Sequence, residues 1–263
     1  MNILVKESLS KVPEVTLVFW VVKIAATTLG ETAGDAVSMS MNLGYLIGTA
    51  IFAAAFIIAV ISQIKSKQYH PAIYWTTIIA STTVGTTLAD YADRSLGIGY
   101  SGGVTLLTSL LLLSLFTWYK TLGSVSTDII STPREEMFYW VTIMFSQTLG
   151  TALGDWTADT AGLGYGLGIL IFTTLLLLVV ALNFRTNVSK AILFWAAFIL
   201  TRPLGAVVGD FLDKPIASGG LALSRYSASA ALIGFIILCL IIIPQRAGKS
   251  SSHYSYRLKL NQI

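Results

Sequence analysis

Four aromatic–tryptophan dipeptides, Phe19-Trp20, Tyr74-Trp75, Tyr139-Trp140 and Phe194-Trp195, head four copies of one pattern, and this repeat constrains the fold more than any other feature of the chain. Ten residues after each tryptophan stands a glycine (Gly30, Gly85, Gly150, Gly205), and fifteen after it an aspartate (Asp35, Asp90, Asp155, Asp210). Twenty-four after it comes a second glycine (Gly44, Gly99, Gly164, Gly219). The tryptophans are 55, 65 and 55 residues apart, so the copies form two pairs offset by 120 residues, as expected of an ancestral half that was duplicated.

Each copy has room for two membrane-crossing helices. Stretches such as Leu43 to Ile64, Thr105 to Tyr119, Leu167 to Leu182 and Leu221 to Ile243 reach or approach the roughly 20 apolar residues that a span requires. Of the 263 residues, 54% are hydrophobic and 11% charged, which is far from the balance of a soluble domain. The sequence therefore predicts an all-α integral membrane protein with eight transmembrane helices as four tandem two-helix repeats. The repeats span about 12–66, 67–121, 132–186 and 187–243, within one transmembrane domain over 1–243. A basic tail, 244–263, follows and is expected to lie near anionic headgroups. Because every repeat holds an even number of spans, the two halves should be related by an axis along the membrane normal. The apolar stretch after Lys11 runs on without a small-residue cleavage signature and is read as a retained first span.

Lysine and arginine counts set an expected orientation. The N-terminus, the loops between repeats and the tail hold twelve basic residues (Lys6, Lys11, Lys65, Lys67, Lys120, Arg134, Arg185, Lys190, Arg246, Lys249, Arg257, Lys259), against Arg94, Lys214 and Arg225 in the turns within repeats. Both termini are thus expected in the cytoplasm, with the acidic motifs towards the outer face and each tryptophan at the opposite headgroup level. The formal charge of +4 marks the cytoplasmic face and does not point to nucleic acid.

The segment Trp20 to Tyr45, with its Leu29-Gly30-Glu31-Thr32-Ala33-Gly34-Asp35 core, resembles a bacterial family of tandem two-helix membrane repeats, the domain of unknown function 347 type. The resemblance covers essentially the whole chain. It implies the architecture and a multi-pass place in the bacterial inner membrane, and it brings no settled activity. Glu31-Thr32-Ala33-Gly34-Asp35 also looks like the Glu-x-Gly-Asp motif of a separate group of manganese and calcium exchangers, here one residue longer and with its glutamate in the first repeat alone.

Of thirteen acidic residues, eight fall in the four motifs: Glu31 and Asp35, Asp90 and Asp93, Asp155 and Asp159, Asp210 and Asp213. An ionised carboxylate within a bilayer costs roughly 2.5–3.5 kcal/mol on insertion scales, so such a group needs a partner, water or a proton. Members of each pair are one helical turn apart and are expected to point inward together. The pairs Gly30/Gly34, Gly85/Ala89, Gly150/Gly154 and Gly205/Gly209 are small-xxx-small patterns that let backbones approach, so the four first helices should pack centrally with their aspartates converging. Glu31, Asp35, Asp90, Asp155 and Asp210 are the candidate ion or metal ligands, with Asp93, Asp159 and Asp213 secondary because they could lie at the outer interface.

Further polar residues occupy the same helices. Thr27, Thr82, Gln147 and Arg202, seven residues after each tryptophan, are candidates to line a cavity below the aspartates. Lys23, on one stripe with Thr27, Glu31 and Asp35, and Arg202 are candidate internal counter-charges. Pro203 is expected to kink the seventh helix.

Oxygen ligands without intramembrane histidine suit protons, sodium, magnesium, calcium or manganese; Met39 and Met41 could add a thioether, although ordinary packing explains them better. The lone Cys239 allows neither a disulfide nor a thiolate cluster. Neither a catalytic nucleophile with its base nor a phosphate-binding glycine loop is present, so an enzyme is not expected, and no cofactor is implied. The leading expectation is a secondary transporter of a small cation, a manganese-like divalent metal exported against protons, with the bilayer, the cation and protons as its partners. The alternatives are a proton-coupled transporter of a small organic solute and a non-transporting membrane sensor or anchor.

Overall fold

The computed structural model describes residues 10–127 and 130–248; Lys6, His253 and most of the basic tail lie outside the described residues. Eight α-helices run through them: α1 (Leu17–Asp35), α2 (Gly44–Lys65), α3 (Pro71–Asp90), α4 (Gly99–Leu122), α5 (Pro133–Asp155), α6 (Gly164–Arg185), α7 (Lys190–Asp213) and α8 (Arg225–Ile242). Local sequence explains the starts. Thr16 accepts from Phe19 N to cap α1, Pro71 opens α3, and Thr132 and Glu135 form a reciprocal capping box after which Pro133 opens α5. The glycines at the twenty-fourth position, Gly44, Gly99, Gly164 and Gly219, all have φ between 68° and 85°, a left-handed turn that β-carbon sterics make costly for other residues.

The first helices of the repeats form an inner ring, α1 against α3, α3 against α5, α5 against α7 and α7 back against α1. The second helices form an outer layer with a one-repeat offset. α2 packs on α3, α4 on α5, α6 on α7, and α8 closes the circle on α1. Each repeat therefore clasps the next one, and the last clasps the first.

Six of the eight helices are long and apolar enough to cross a membrane. The other two, α3 and α5, have 20 and 23 residues but are diluted by threonines and by charge at their ends, a composition suited to the inner ring. The outer layer presents Ile58, Leu113, Leu177 and Ile241 unburied, which suits hydrocarbon surroundings.

Glycines set the closeness of the ring. A β-carbon on Gly30 would strike Thr82, one on Gly85 would strike Gln147, one on Gly150 would strike Arg202, and one on Gly205 would strike Thr27. The glycine ten residues after one tryptophan thus receives the residue seven after the next, and the pattern closes after four steps. Gly150→Ala would force its methyl into Cβ and Cγ of Arg202, and overpacking of this kind is expected to cost ~1–3 kcal/mol. Thermal unfolding in detergent would show it as a lowered midpoint, whereas Gly166→Ala on α6, with nothing within 4 Å, should unfold like the parent.

One expectation needs correction here. Trp75, Trp140 and Trp195 are not headgroup anchors; they are buried in an aromatic cluster with Tyr74, Tyr139 and Phe198 at one end of the ring. That end is crossed by the segment before α1, where Pro13 bridges to Ala247 and Lys11 Nζ lies 2.6 Å from Glu136 Oε1.

Candidate cation site on the bundle axis

The inner helices share a stripe in steps of four. It reads Phe19, Lys23, Thr27, Glu31, Asp35 on α1; Tyr74, Ile78, Thr82, Thr86, Asp90 on α3; Tyr139, Ile143, Gln147, Thr151, Asp155 on α5; and Phe194, Phe198, Arg202, Ala206, Asp210 on α7. All of these residues are buried. Rows in steps of four run at about 26° to a helix axis, so leaning helices keep such a row on a common centre. The axis is accordingly stacked in layers, aromatic at one end, then largely apolar, then polar, and acidic at the other end.

At the acidic end, one carboxylate oxygen from each of Glu31, Asp35 and Asp210 lies within 4.8 Å of the others. Of the five candidate ligands, then, the structure brings these three together. Asp90 and Asp155 form the other side of the ring, joined by Arg94, whose guanidinium is 3.0 Å from Asp90 and 3.5 Å from Asp155. On the first side Lys214 takes the matching place, with Nζ 2.8 Å from Asp35 and 3.0 Å from Asp210. Arg94 and Lys214 are 120 residues apart, so the two halves each contribute one cation that bridges its own aspartate and that of the following repeat.

Their backbones differ. Arg94 lies in a π-helical turn, Tyr91–Ser95, that continues α3. Pro215 instead forces Lys214 out of the helix, with φ −71° and ψ 155°. Lys214 loses solvent there, which works against its charge, but Asp210, Asp35 and Asp213 outweigh that loss and raise its pKa above the ordinary lysine value.

The secondary carboxylates do not join the ring. The helices after Asp35, Asp90 and Asp155 widen into π-turns, Ala36–Ser40, Tyr91–Ser95 and Trp156–Thr160, which rotates the following residues off the stripe. Asp159 is exposed. Asp93 lies against Gly103 on α4 and neither of its oxygens has a hydrogen-bond partner among the described residues; Asp213 pairs with Arg225 Nε at 2.8 Å. The expectation that both members of each pair point inward holds for Glu31 and Asp35 and fails for Asp93 and Asp159, whereas Asp213 is buried and shares Arg225 with Asp35, at 2.8 Å and 3.5 Å respectively. Met41 is exposed and Met39 half-buried beyond the ring.

Deeper on the axis, Arg202 Nη2 lies 2.9 Å from Glu31 Oε2, 2.6 Å from Thr86 Oγ1 and 2.5 Å from Thr151 Oγ1. Those are the residues that the three other inner helices contribute to one layer, and the fourth residue of the stripe there is Ala206 of α7 itself. Thr27, Thr82 and Gln147 share the layer below. Among the described residues Lys23 finds no carboxylate; its Nζ is 3.4 Å from Gln147 Oε1 and 4.1 Å from the centre of the Phe198 ring. Of the two expected internal counter-charges, Arg202 is thus placed against a carboxylate and Lys23 is not. Thr28, Thr83 and Thr148 bond carbonyls of their own helices and do not line the axis.

A family profile described as "Repeat of Unknown Function (DUF347)" matches residues 18–69, 73–124, 138–189 and 193–244, which together make up most of the chain and begin with the spacing of the tryptophans. The chain belongs to the DUF347 family. Each matched segment of this DUF347 protein contains one inner helix, one outer helix and one ring aspartate. A search of curated proteins and a search of solved structures each returned no match.

Proposed function

We propose that the chain is a secondary transporter of a small cation, a manganese-like divalent metal fitting best, exported in exchange for protons. The observation that carries this reading is the convergence of Glu31, Asp35 and Asp210 within 4.8 Å on the axis of a membrane-embedded ring. Carboxylate and hydroxyl oxygens suit hard and borderline divalent cations.

In the exchange cycle Lys214 and Arg94 are tethered competitors. An arriving metal takes oxygens of Asp35 and Asp210 from Lys214 and of Glu31 from Arg202. When the metal leaves, protons and the tethered cations restore neutrality. The halves are unequal in one respect. The residue 120 positions after Glu31 is Thr151, so the Asp90 and Asp155 side lacks a third carboxylate. We assign the metal to the first side, one ion per chain, and proton traffic to the second.

All eight helices span the membrane in this reading, with α3 and α5 shielded by their neighbours, both termini are cytoplasmic, and the halves rock about the central site. The close approach of the inner helices through glycine favours ions over organic solutes.

The test is elemental analysis of a bacterium stripped of its own metal exporters, with and without the protein. One metal should fall in content, and its toxicity should be relieved, by the parent and not by Asp35→Asn. Unchanged content of every metal, with the protein folded in the membrane, would overturn the reading.

A further inference from the structure

Arg202 has no exposed surface, yet it is fixed by contacts with all three other inner helices. Gly150 leaves the space that its Cβ and Cγ fill. Its Nε and Nη1 are buried without a hydrogen-bond partner among the described residues, a cost that a residue serving only to neutralise Glu31 would not need to carry. A guanidinium cannot discard its proton at any ordinary pH, so its charge is permanent. It stands on the axis between the ring of aspartates and Lys23.

We propose that Arg202 is the charge gate of the axis, the residue that bars protons and metal ions from passing straight through and so makes movement of the ring's cargo depend on a conformational change. The proposal rests on the exchange reading of the ring, but it concerns passive leak and is measured without any metal. Its failure is therefore separate from a failure of transport. A fixed positive charge in a narrow, low-dielectric path repels any cation that must share the path with it. The hydroxyls of Thr82, Thr86 and Thr151 and the Gln147 amide would line the path once the guanidinium is gone.

The experiment uses the full chain in potassium-loaded vesicles, with valinomycin setting the potential and an internal dye reporting proton entry. Arg202→Gln is expected to raise proton leak on the order of 10²-fold over the parent, and Arg202→Lys, which keeps the charge, to remain tight. Because Arg202→Gln leaves Glu31 unpaired, Arg202→Gln with Glu31→Gln removes both charges together and is expected to leak as much. Correctly folded Arg202→Gln or double-variant protein as tight as the parent would overturn the proposal, as would a leak from Arg202→Lys equal to that of Arg202→Gln.

Discussion

Asparagine in place of Asp35 is expected to reduce metal export by on the order of 10²-fold, because removing groups that merely support a metal ligand already costs about 10–100-fold. Asp35 is the most connected carboxylate of the ring. It lies with Glu31 and Asp210 in the three-carboxylate cluster, 2.8 Å from Lys214 and 3.5 Å from Arg225. An amide keeps the volume and one oxygen but removes the charge that draws a divalent ion away from water. Asp210→Asn should behave similarly. Asp159→Asn, on an exposed residue outside the ring, should export at the parental rate. Uptake of radioactive manganese into inverted membrane vesicles, the direction that corresponds to export from the cell, measures all three, with membrane content of the protein as the control for folding.

The second large effect concerns the tethered cations. With Arg94 and Lys214 both changed to methionine, the four ring aspartates lose the ion pairs at 2.8 to 3.5 Å that hold them together. Leaving buried charges unpaired is strongly destabilising, about 3–5 kcal/mol for a single broken pair. The double variant should therefore depend on an added cation. In detergent with chelator its unfolding midpoint should drop well below the parent's. Manganese at 100 times its dissociation constant should return about 2.7 kcal/mol, or roughly 5–10 °C. The parent, which carries its own counter-charges, should respond far less. A variant that melts alike with and without divalent ions would show that the ring does not bind them.

Much of this architecture was legible in the sequence because a repeat prints its symmetry as fixed offsets. The tryptophan, glycine and aspartate positions alone place four helices around one centre, and the glycine pairs indicate how closely they approach. The inward convergence of Glu31, Asp35 and Asp210 follows from the same stripe. The ring's partners were less legible. Arg94 and Lys214 count as turn residues by the charge rule that orients the chain, yet each stands four residues after a ring aspartate and 120 from the other. Read as a helical continuation, that spacing points to them, and the same step of four from Gln147 and from Thr82 points to Thr151 and Thr86, the partners of Arg202.

The fate of the secondary aspartates was hidden for a different reason. An α-helical period keeps Asp159 with Asp155, and only the π-turn from Trp156 to Thr160 separates them. The aromatic dipeptides are ambiguous in the sequence because an indole near a helix start fits the headgroup rule as well as it fits a packed end cap. What distinguishes the two is the packing of the inner helices on one another and of Trp118 from α4 on Tyr139 and Trp195, a long-range fact with no local signature.

The central claim is that the axial carboxylates exchange a metal ion for protons, and counter-transport in proteoliposomes tests it most directly. Purified protein is reconstituted with a pH dye inside, and manganese, calcium or magnesium is added outside. The account predicts that at least one of these ions drives protons out of the lumen, raising internal pH in the parent and not in Asp35→Asn. Internal pH that stays flat for every divalent ion, in vesicles shown to contain folded protein, would contradict it and leave the ring of aspartates as a device that binds four repeats together.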